Sequence, residues 1–166
     1  MKYLPLYILF LGVILSSSCN RHRHDPYPYY AYPVIPDTNR FHLPYTNPSV
    51  NGYTKYYYPG TGILSSEGNY ENGTPTGYWK FYYSNGMLMR EGNFSNGQLS
   101  GYWKFYYSNG LLKEEGNYSN GIPTGYWKYY YANGHLSAEG NYSNGIQQGA
   151  WKYYYVDGSL EMTTTY

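Results

Sequence analysis

The strongest constraint on the fold is a repeat of 24 residues in the C-terminal part of the chain. The string Glu-Gly-Asn followed by Tyr or Phe begins at Glu67 and recurs at residues 91, 115 and 139. The pair Trp-Lys begins at Trp79 and recurs at residues 103, 127 and 151 with the same step. A fixed period of this length predicts a repeat architecture in which each unit packs against its neighbours.

Turn signals divide each repeat into two strands. From residue 72 onward, Asn-Gly occurs at residues 72, 85, 96, 109, 120, 133 and 144, and Asp157-Gly158 ends the series. Each interval between these signals has the length of one strand and its turn. Including both irregular ends, the sequence predicts an all-β fold, an elongated single-layer antiparallel meander of about ten short strands. At roughly 4.8 Å per strand, its length is on the order of 45 Å.

The strand register follows if Asn85-Gly86 is the two-residue loop of a tight hairpin. The predicted opposite pairs are Trp79 with Gly92, Lys80 with Glu91, Tyr82 with Met89 and Tyr83 with Leu88. Each Lys–Glu pair should fix the register and add only tenths of a kcal/mol. A glycine opposite a tryptophan should leave room for the indole to lie across the sheet. The predicted structural repeat positions are Trp79, Trp103, Trp127, Trp151, Gly92, Gly116 and Gly140.

Because side chains alternate along a strand, the two faces of the sheet should differ. One face is mostly apolar, and we expect it to be buried within the domain itself. Dimerisation, the preceding Pro/Tyr-rich segment or a partner are the other ways to cover it. The other face is mixed and rich in tyrosine, a residue suited to binding faces. The candidate binding surface consists of Tyr78, Tyr82, Tyr102, Tyr106, Tyr126 and Tyr130.

The amino terminus is typical of a secretion signal. Lys2 precedes an apolar run from Tyr3 to Leu15, and small residues lead to Cys19, the single cysteine. This layout predicts a signal peptide over residues 1–18. The position of Cys19 resembles the lipobox of bacterial lipoproteins, in which this residue is lipidated. An uncleaved anchor helix and ordinary secretion with an incidental cysteine are the alternatives. The resemblance implies a lipid-anchored protein of the bacterial cell envelope, on the periplasmic or surface side of the outer membrane.

Residues 19–52 form a Pro/Tyr-rich segment that precedes the repeats. Six prolines lie between residues 20 and 50, interleaved with tyrosines. Proline at this density opposes helix and sheet and favours an extended polyproline-type chain. We expect a tether that lifts the repeat domain, residues 53–166, off the membrane. Its tyrosines could instead lie on the domain as a cover.

The composition gives no support for nucleic-acid binding or for catalysis. The net charge is +1, and it falls to zero when Lys2 leaves with the signal peptide, so nucleic acid is not an expected partner. His22 and His24 could bind a metal only weakly, since zinc sites use three or four placed ligands. His135 fills a variable, solvated repeat position. We therefore expect no enzyme, no catalytic residues, no metal and no cofactor.

The repeat unit, Gly-Tyr-Trp-Lys-Phe-Tyr-Tyr-Ser-Asn-Gly followed by Glu-Gly-Asn-Tyr, resembles the variant of the MORN repeat (membrane occupation and recognition nexus). This variant occurs in bacterial proteins grouped as the YwqK-type antitoxin family. The resemblance covers residues 53–166 and brings no catalytic residues with it. It implies a protein-interaction module. In one version of this function, the protein has an antitoxin or immunity-like role and its partner is a toxin.

A second function also fits the sequence. Wall-binding repeats carry similar aromatic pairs before a Gly turn, and aromatic rings stack on sugars, so glycan or cell-wall binding through the aromatic sheet face is the alternative. Membrane-surface recognition ranks third, because a near-neutral chain lacks the charge for it. The leading prediction is a non-enzymatic, envelope-anchored repeat protein that binds an unidentified protein.

Overall fold

The computed structural model describes residues 50–166, which form one ten-stranded antiparallel sheet in sequence order. The signal peptide, Cys19 and the Pro/Tyr-rich residues up to 49 lie outside the described residues. Each strand packs chiefly against its sequence neighbours, so the predicted single-layer meander is confirmed. The strands are β1 (Gly52–Tyr57), β2 (Leu64–Glu71), β3 (Thr74–Tyr82), β4 (Leu88–Ser95), β5 (Gln98–Tyr106), β6 (Leu112–Ser119), β7 (Ile122–Tyr130), β8 (Leu136–Ser143), β9 (Ile146–Tyr154) and β10 (Leu160–Thr165).

The Asn-Gly dipeptides form two different kinds of turn. Between β2 and β3, Asn72 and Gly73 both have positive φ, 49° and 73°, and Glu71 pairs with Thr74 across them. This is the two-residue hairpin that Asn-Gly favours. Between β3 and β4, only the Gly of the dipeptide has positive φ. There Gly86 N–H donates to the Tyr83 carbonyl at 2.9 Å, which makes a three-residue loop.

The three-residue loop corrects part of the predicted register. Trp79 pairs with Gly92 and Lys80 with Glu91, as expected, but a bulge follows Phe81 and Tyr82 pairs with Leu88. The predicted pairs of Tyr82 with Met89 and of Tyr83 with Leu88 are therefore wrong. A type I turn followed by a glycine in the left-handed region needs one more loop residue than the tight hairpin, and this displaces the last pair.

The three-residue loops are joined to each other along one edge of the sheet. Asn85 accepts from Met87 N–H with its side-chain oxygen and donates its amide to the Ser108 carbonyl at 2.9 Å. Asn109 and Asn133 repeat both contacts one repeat further on. Tyrosine hydroxyls add a parallel row, since Tyr83 donates to the carbonyl of Tyr106 at 2.7 Å. These contacts tie each repeat to the next beyond the strand ladder.

The tryptophan face is built on a close contact between an indole and a glycine. An ideal Cβ at Gly92 would lie 2.3 Å from the ring of Trp103, not of its strand partner Trp79. The same holds at Gly116 for Trp127 and at Gly140 for Trp151. As predicted, the glycine leaves room for an indole, but the predicted tryptophan is the wrong one. The ring that needs the space comes from the following strand, because each indole points back across the sheet.

Each indole is held by the same set of contacts. The Trp103 Nε1–H donates to the Asn93 carbonyl at 3.0 Å. The ring meets Phe94 edge-on at 5.2 Å and stacks on Phe105 at 5.9 Å. All four tryptophans are at most 2 % exposed, although residues 50–166 supply no second layer to cover them. The apolar face is therefore buried within the domain itself, through contacts between its own rings.

Candidate binding face

The opposite face of the sheet, here called the tyrosine face, carries all six tyrosines of the predicted binding surface. It consists of the tyrosines one residue before and three residues after a tryptophan, the lysine that follows each tryptophan, and the glutamates that pair with these lysines. Tyr78, Tyr102 and Tyr126 are 47 %, 46 % and 45 % exposed. Tyr82, Tyr106 and Tyr130 on the same strands are half-buried. The alternation of side chains thus brings the six together, as expected, in three equivalent pairs.

Glutamates connect the tyrosines of neighbouring strands. The Tyr106 hydroxyl on β5 donates to the Glu91 carboxylate on β4 at 2.8 Å. Burial and then a hydrogen bond to Glu91 raise the pKa of Tyr78, on β3, to about 12. Glu91 therefore accepts the hydroxyl of half-buried Tyr106 and raises the pKa of exposed Tyr78. Glu115 does the same for Tyr102 and Tyr130, and Glu139 for Tyr126 and Tyr154.

The first such link contains a tyrosine that is not among the six predicted ones. Tyr53 on β1 is 59 % exposed and donates to Glu67 at 2.7 Å. Tyr82 donates to the other oxygen of the same carboxylate, and these two hydrogen bonds lower the pKa of Glu67. Gly52-Tyr53-Thr54-Lys55 could have revealed the position, because it copies Gly125-Tyr126-Trp127-Lys128 with one change.

The row of exposed tyrosines has a regular spacing. Tyr53, Tyr78, Tyr102 and Tyr126 lie on alternate strands, so neighbours are about 9.6 Å apart across the sheet. The first ring is also held at its hydroxyl, which donates to Glu67 of the neighbouring strand. Ala150 occupies the next position, which ends the row.

The lysines between the tyrosines have a different role from the one predicted. Lys80 and Glu91 are register partners, but the carboxylate accepts tyrosine hydroxyls instead of pairing closely with the lysine. Lys55 and Glu67, by contrast, form a close ion pair at 3.7 Å. The lysines act on the carboxylates at longer range. Burial alone would raise the pKa of Glu139, but hydrogen bonds from two tyrosines and the charges of Lys152 and Lys128 lower it below its usual value. The ammonium groups therefore remain available as hydrogen-bond donors.

Two charged residues lie on the tryptophan face, where the sequence analysis assigned no role. Arg90 is 4 % exposed, and its guanidinium lies 4.0 Å from the centre of the Phe81 ring. Burial lowers its pKa to about 9. Glu114, one repeat later, lies between Phe105 and Tyr129, and burial raises its pKa. Alternation from Trp79 and Trp103 could have placed both residues on this face.

The described residues contain neither a metal-binding cluster nor a membrane-spanning helix. Residues 50–166 contain no group of three or more His, Cys, Asp or Glu side chains able to hold a metal ion. His135 is exposed in the loop before β8, with its Nδ1 2.9 Å from the Val156 carbonyl. In the same part of the chain, no helix has the length and hydropathy to span a bilayer. His22 and His24 lie outside the described residues.

Comparison with known proteins identifies the repeat. Residues 75–96, 99–120 and 123–144 match the MORN repeat variant. The chain therefore contains three tandem repeats of this kind, each covering two strands and the three-residue turn between them. The match confirms the predicted repeat and its 24-residue step. No curated protein is significantly similar to the chain.

Two solved structures are similar to part of the chain at low sequence identity. TarM is 10 % identical with a TM-score of 0.36, over 58 % of this chain and 20 % of that one. The glycosylation-associated protein complex Gap123 from Streptococcus agalactiae is 16 % identical with a TM-score of 0.39, over 79 % of this chain and 24 % of that one. The chain thus spans about a quarter or less of these larger proteins.

Proposed function

We propose that this chain is a non-enzymatic protein-interaction module and that the tyrosine face is its binding surface. The observation that carries the proposal is the contrast between the two faces. The tryptophans of one face are at most 2 % exposed, whereas three matched tyrosines of the other are each nearly half exposed. The tryptophan face stabilises the sheet, and the tyrosine face is accessible to a partner.

The chemistry of the tyrosine face suits a protein partner. Tyrosine is enriched at protein interfaces because its ring gives contact area and its hydroxyl gives a hydrogen bond at a low cost in side-chain entropy. Here glutamates hold the half-buried rings of Tyr106 and Tyr130 in advance, which further lowers the entropy lost on binding. The face also carries one lysine and one glutamate per repeat, so it offers hydrogen bonds without a strong net charge.

The location of the module belongs to the same proposal. Lipidation at Cys19 would hold the chain at a membrane surface of the bacterial cell envelope, where more than one acyl chain gives stable anchoring. The partner is then an envelope or extracellular protein. An antitoxin or immunity-like role is the form of this function in which the partner is toxic on its own.

An in-cell cross-linked pull-down tests the function. The tagged full-length protein should capture one recurrent protein, identified by mass spectrometry. A variant carrying Tyr78→Ala, Tyr102→Ala and Tyr126→Ala should lose that protein. The control carries Leu111→Ala, His135→Ala and Ser159→Ala, three exposed loop positions off the face. Equal capture by both variants, or no recurrent protein, would contradict the proposal.

Glycan binding is the second candidate, and one observation favours it. Exposed rings at a regular spacing of about 9.6 Å suit a polymer of repeating sugars, since sugar rings stack on aromatic ones. Co-sedimentation of the mature protein with peptidoglycan or insoluble glucan tests this candidate. Retention that Tyr102→Ala abolishes, with no protein partner captured, would replace the leading function by this one.

A further inference from the structure

The two edge strands of the sheet have complementary directions. Within residues 50–166, β1 and β10 each pair on one side only, with β2 and β9. Because neighbouring strands alternate in direction, the first and the tenth strand run in opposite directions. The unpaired N–H and C=O groups along an edge strand can pair with a strand of another chain. The β10 edge of one molecule could therefore continue the antiparallel ladder with the β1 edge of a second copy.

The interior of the sheet shows what a junction of this kind contains. Wherever an odd-numbered strand follows an even-numbered one, an indole of the odd strand lies over a glycine of the even strand. Gly68 beneath Trp79 and Gly140 beneath Trp151 are the first and last examples, with 2.2 Å and 2.3 Å between the ring and an ideal Cβ. A larger residue at the glycine position would therefore exclude the incoming tryptophan.

Both members of this contact change at the edges, and they change in compensating directions. Thr164 on β10 pairs with Trp151, as the glycines of β4, β6 and β8 pair with their tryptophans, so Thr164 occupies the glycine position. Thr54 on β1 pairs with Gly68, so Thr54 occupies the tryptophan position. The glycine is replaced by a larger residue and the tryptophan by a smaller one. The two threonines can therefore meet without the overlap that an indole and Thr164 would produce.

A row of hydrogen bonds between repeats points to the same junction. The tyrosine after each odd strand donates its hydroxyl to the last carbonyl of the next odd strand, and these donors are Tyr58, Tyr83, Tyr107 and Tyr131. Tyr155 follows β9 and is 49 % exposed, and its hydroxyl makes no hydrogen bond within residues 50–166. The equivalent acceptor at the other edge is the carbonyl of Tyr57, the last residue of β1. A second copy would bring this carbonyl to Tyr155.

We propose that the molecule associates end to end with further copies of itself, β10 of one copy pairing with β1 of the next. The two copies contribute different edges, so the contact is heterologous and continues into a row of molecules unless it closes. The edge strands are short, with six residues each, and two threonines bury less area than an indole on a glycine. The association is therefore weaker than the pairing within the chain. Every copy keeps its tyrosine face on the same side of the continued sheet.

Disulfide formation between two variants tests the contact. One mature chain carries Thr54→Cys and the other carries Thr164→Cys, both in a background with Cys19→Ser. Directly opposed residues on neighbouring antiparallel strands lie within the range of a disulfide bond. The expected result is a mixed disulfide-linked dimer that forms at least tenfold faster than a dimer of either variant alone. Equal rates in the mixture and in the two separate samples would overturn the inference.

A second set of variants rebuilds the interior contact at the edges. Thr54→Trp combined with Thr164→Gly should lower the dissociation constant for self-association at least tenfold in analytical ultracentrifugation. Thr54→Trp alone should raise it at least tenfold, because the indole of one copy would meet the Thr164 side chain of the next. Both positions are half-buried at the edges, and circular dichroism checks that the sheet is intact in each variant.

The single variant is also the control for added apolar surface. If Thr54→Trp alone tightens self-association as much as the pair of changes does, apolar surface and not the contact is responsible, and the inference fails. A chain that stays monomeric at every concentration would overturn it as well. The inference uses the edges of the sheet and not the tyrosine face, so either result leaves the proposed function standing.

Discussion

Replacing Gly92 by alanine tests the packing of the tryptophan face most sharply. An added Cβ would lie 2.3 Å from Cδ2 and 2.5 Å from Cγ of Trp103, more than 1 Å inside van der Waals contact. The ring has little room to move, since its Nε1 is bonded at 3.0 Å to the Asn93 carbonyl and Phe94 lies against it. Gly92 has no positive φ, so backbone strain does not add to the cost.

The magnitude follows from the two ways in which the site can respond. Forcing extra atoms into a packed site costs about 1–3 kcal/mol, and losing the buried indole costs about 3–5 kcal/mol. The cheaper response limits the cost, so Gly92→Ala should lower the free energy of unfolding by about 3 kcal/mol. Urea denaturation followed by tryptophan fluorescence measures it, with the change in midpoint read at a constant slope.

A double-mutant comparison identifies the tryptophan that needs the space. In a Trp103→Ala background, Gly92→Ala should cost less than about 0.5 kcal/mol, since the clash is gone. In a Trp79→Ala background it should still cost about 3 kcal/mol, although Trp79 is the strand partner of Gly92. Rescue by Trp79→Ala instead of Trp103→Ala, or simple additivity with Trp103→Ala, would refute the reasoning.

Three further changes probe the links between repeats and the buried charge. Tyr82→Phe should lower the free energy of unfolding by about 1 kcal/mol at pH 7. Because Glu67 has a lowered pKa, this loss of stability should shrink as the pH falls below about 4.3, the pKa of Glu in the unfolded chain. A loss of stability that stays constant from pH 7 to 3 would contradict this prediction. Glu114→Gln should stabilise the protein at pH 7, because burial raises the pKa of Glu114 and its ionisation therefore opposes folding. This gain in stability should vanish below about pH 4, where the carboxyl is protonated in both states. Thermal unfolding of both proteins at each pH measures the difference. Asn96→Ala should cost about 1 kcal/mol because φ is +50° there, whereas Asn96→Gly should be nearly neutral in the same urea titration.

The sequence predicted the strand count and most of the register because two independent periods agree in it. The 24-residue step counts the repeats, and the alternation of side chains sets the faces. It did not predict the three-residue loops, since Asn85-Gly86 reads the same as Asn72-Gly73. The difference lies in contacts between repeats, such as the Asn85 amide on the Ser108 carbonyl, which no single hairpin contains.

The position of the candidate site was predictable from the sequence, but the hydrogen-bond partners of its side chains were not. Alternation alone put the six tyrosines on one face. The opposition of Lys80 and Glu91 suggested an ion pair, yet Glu91 accepts the hydroxyl of Tyr106 from the other neighbouring strand. The partner of Gly92 was missed for the same reason. Strand pairing gives the opposite residue, whereas long side chains reach diagonally to the next strand.

Site-specific photo-cross-linking tests most directly whether the tyrosine face is the binding surface. A photoreactive phenylalanine analogue replaces Tyr102 on that face, Phe105 on the tryptophan face or Leu111 in a loop, in the full-length protein in cells. We expect one cross-linked product of constant mass at position 102 and none at 105 or 111. Cross-links at 105 or 111 with none at 102 would contradict it.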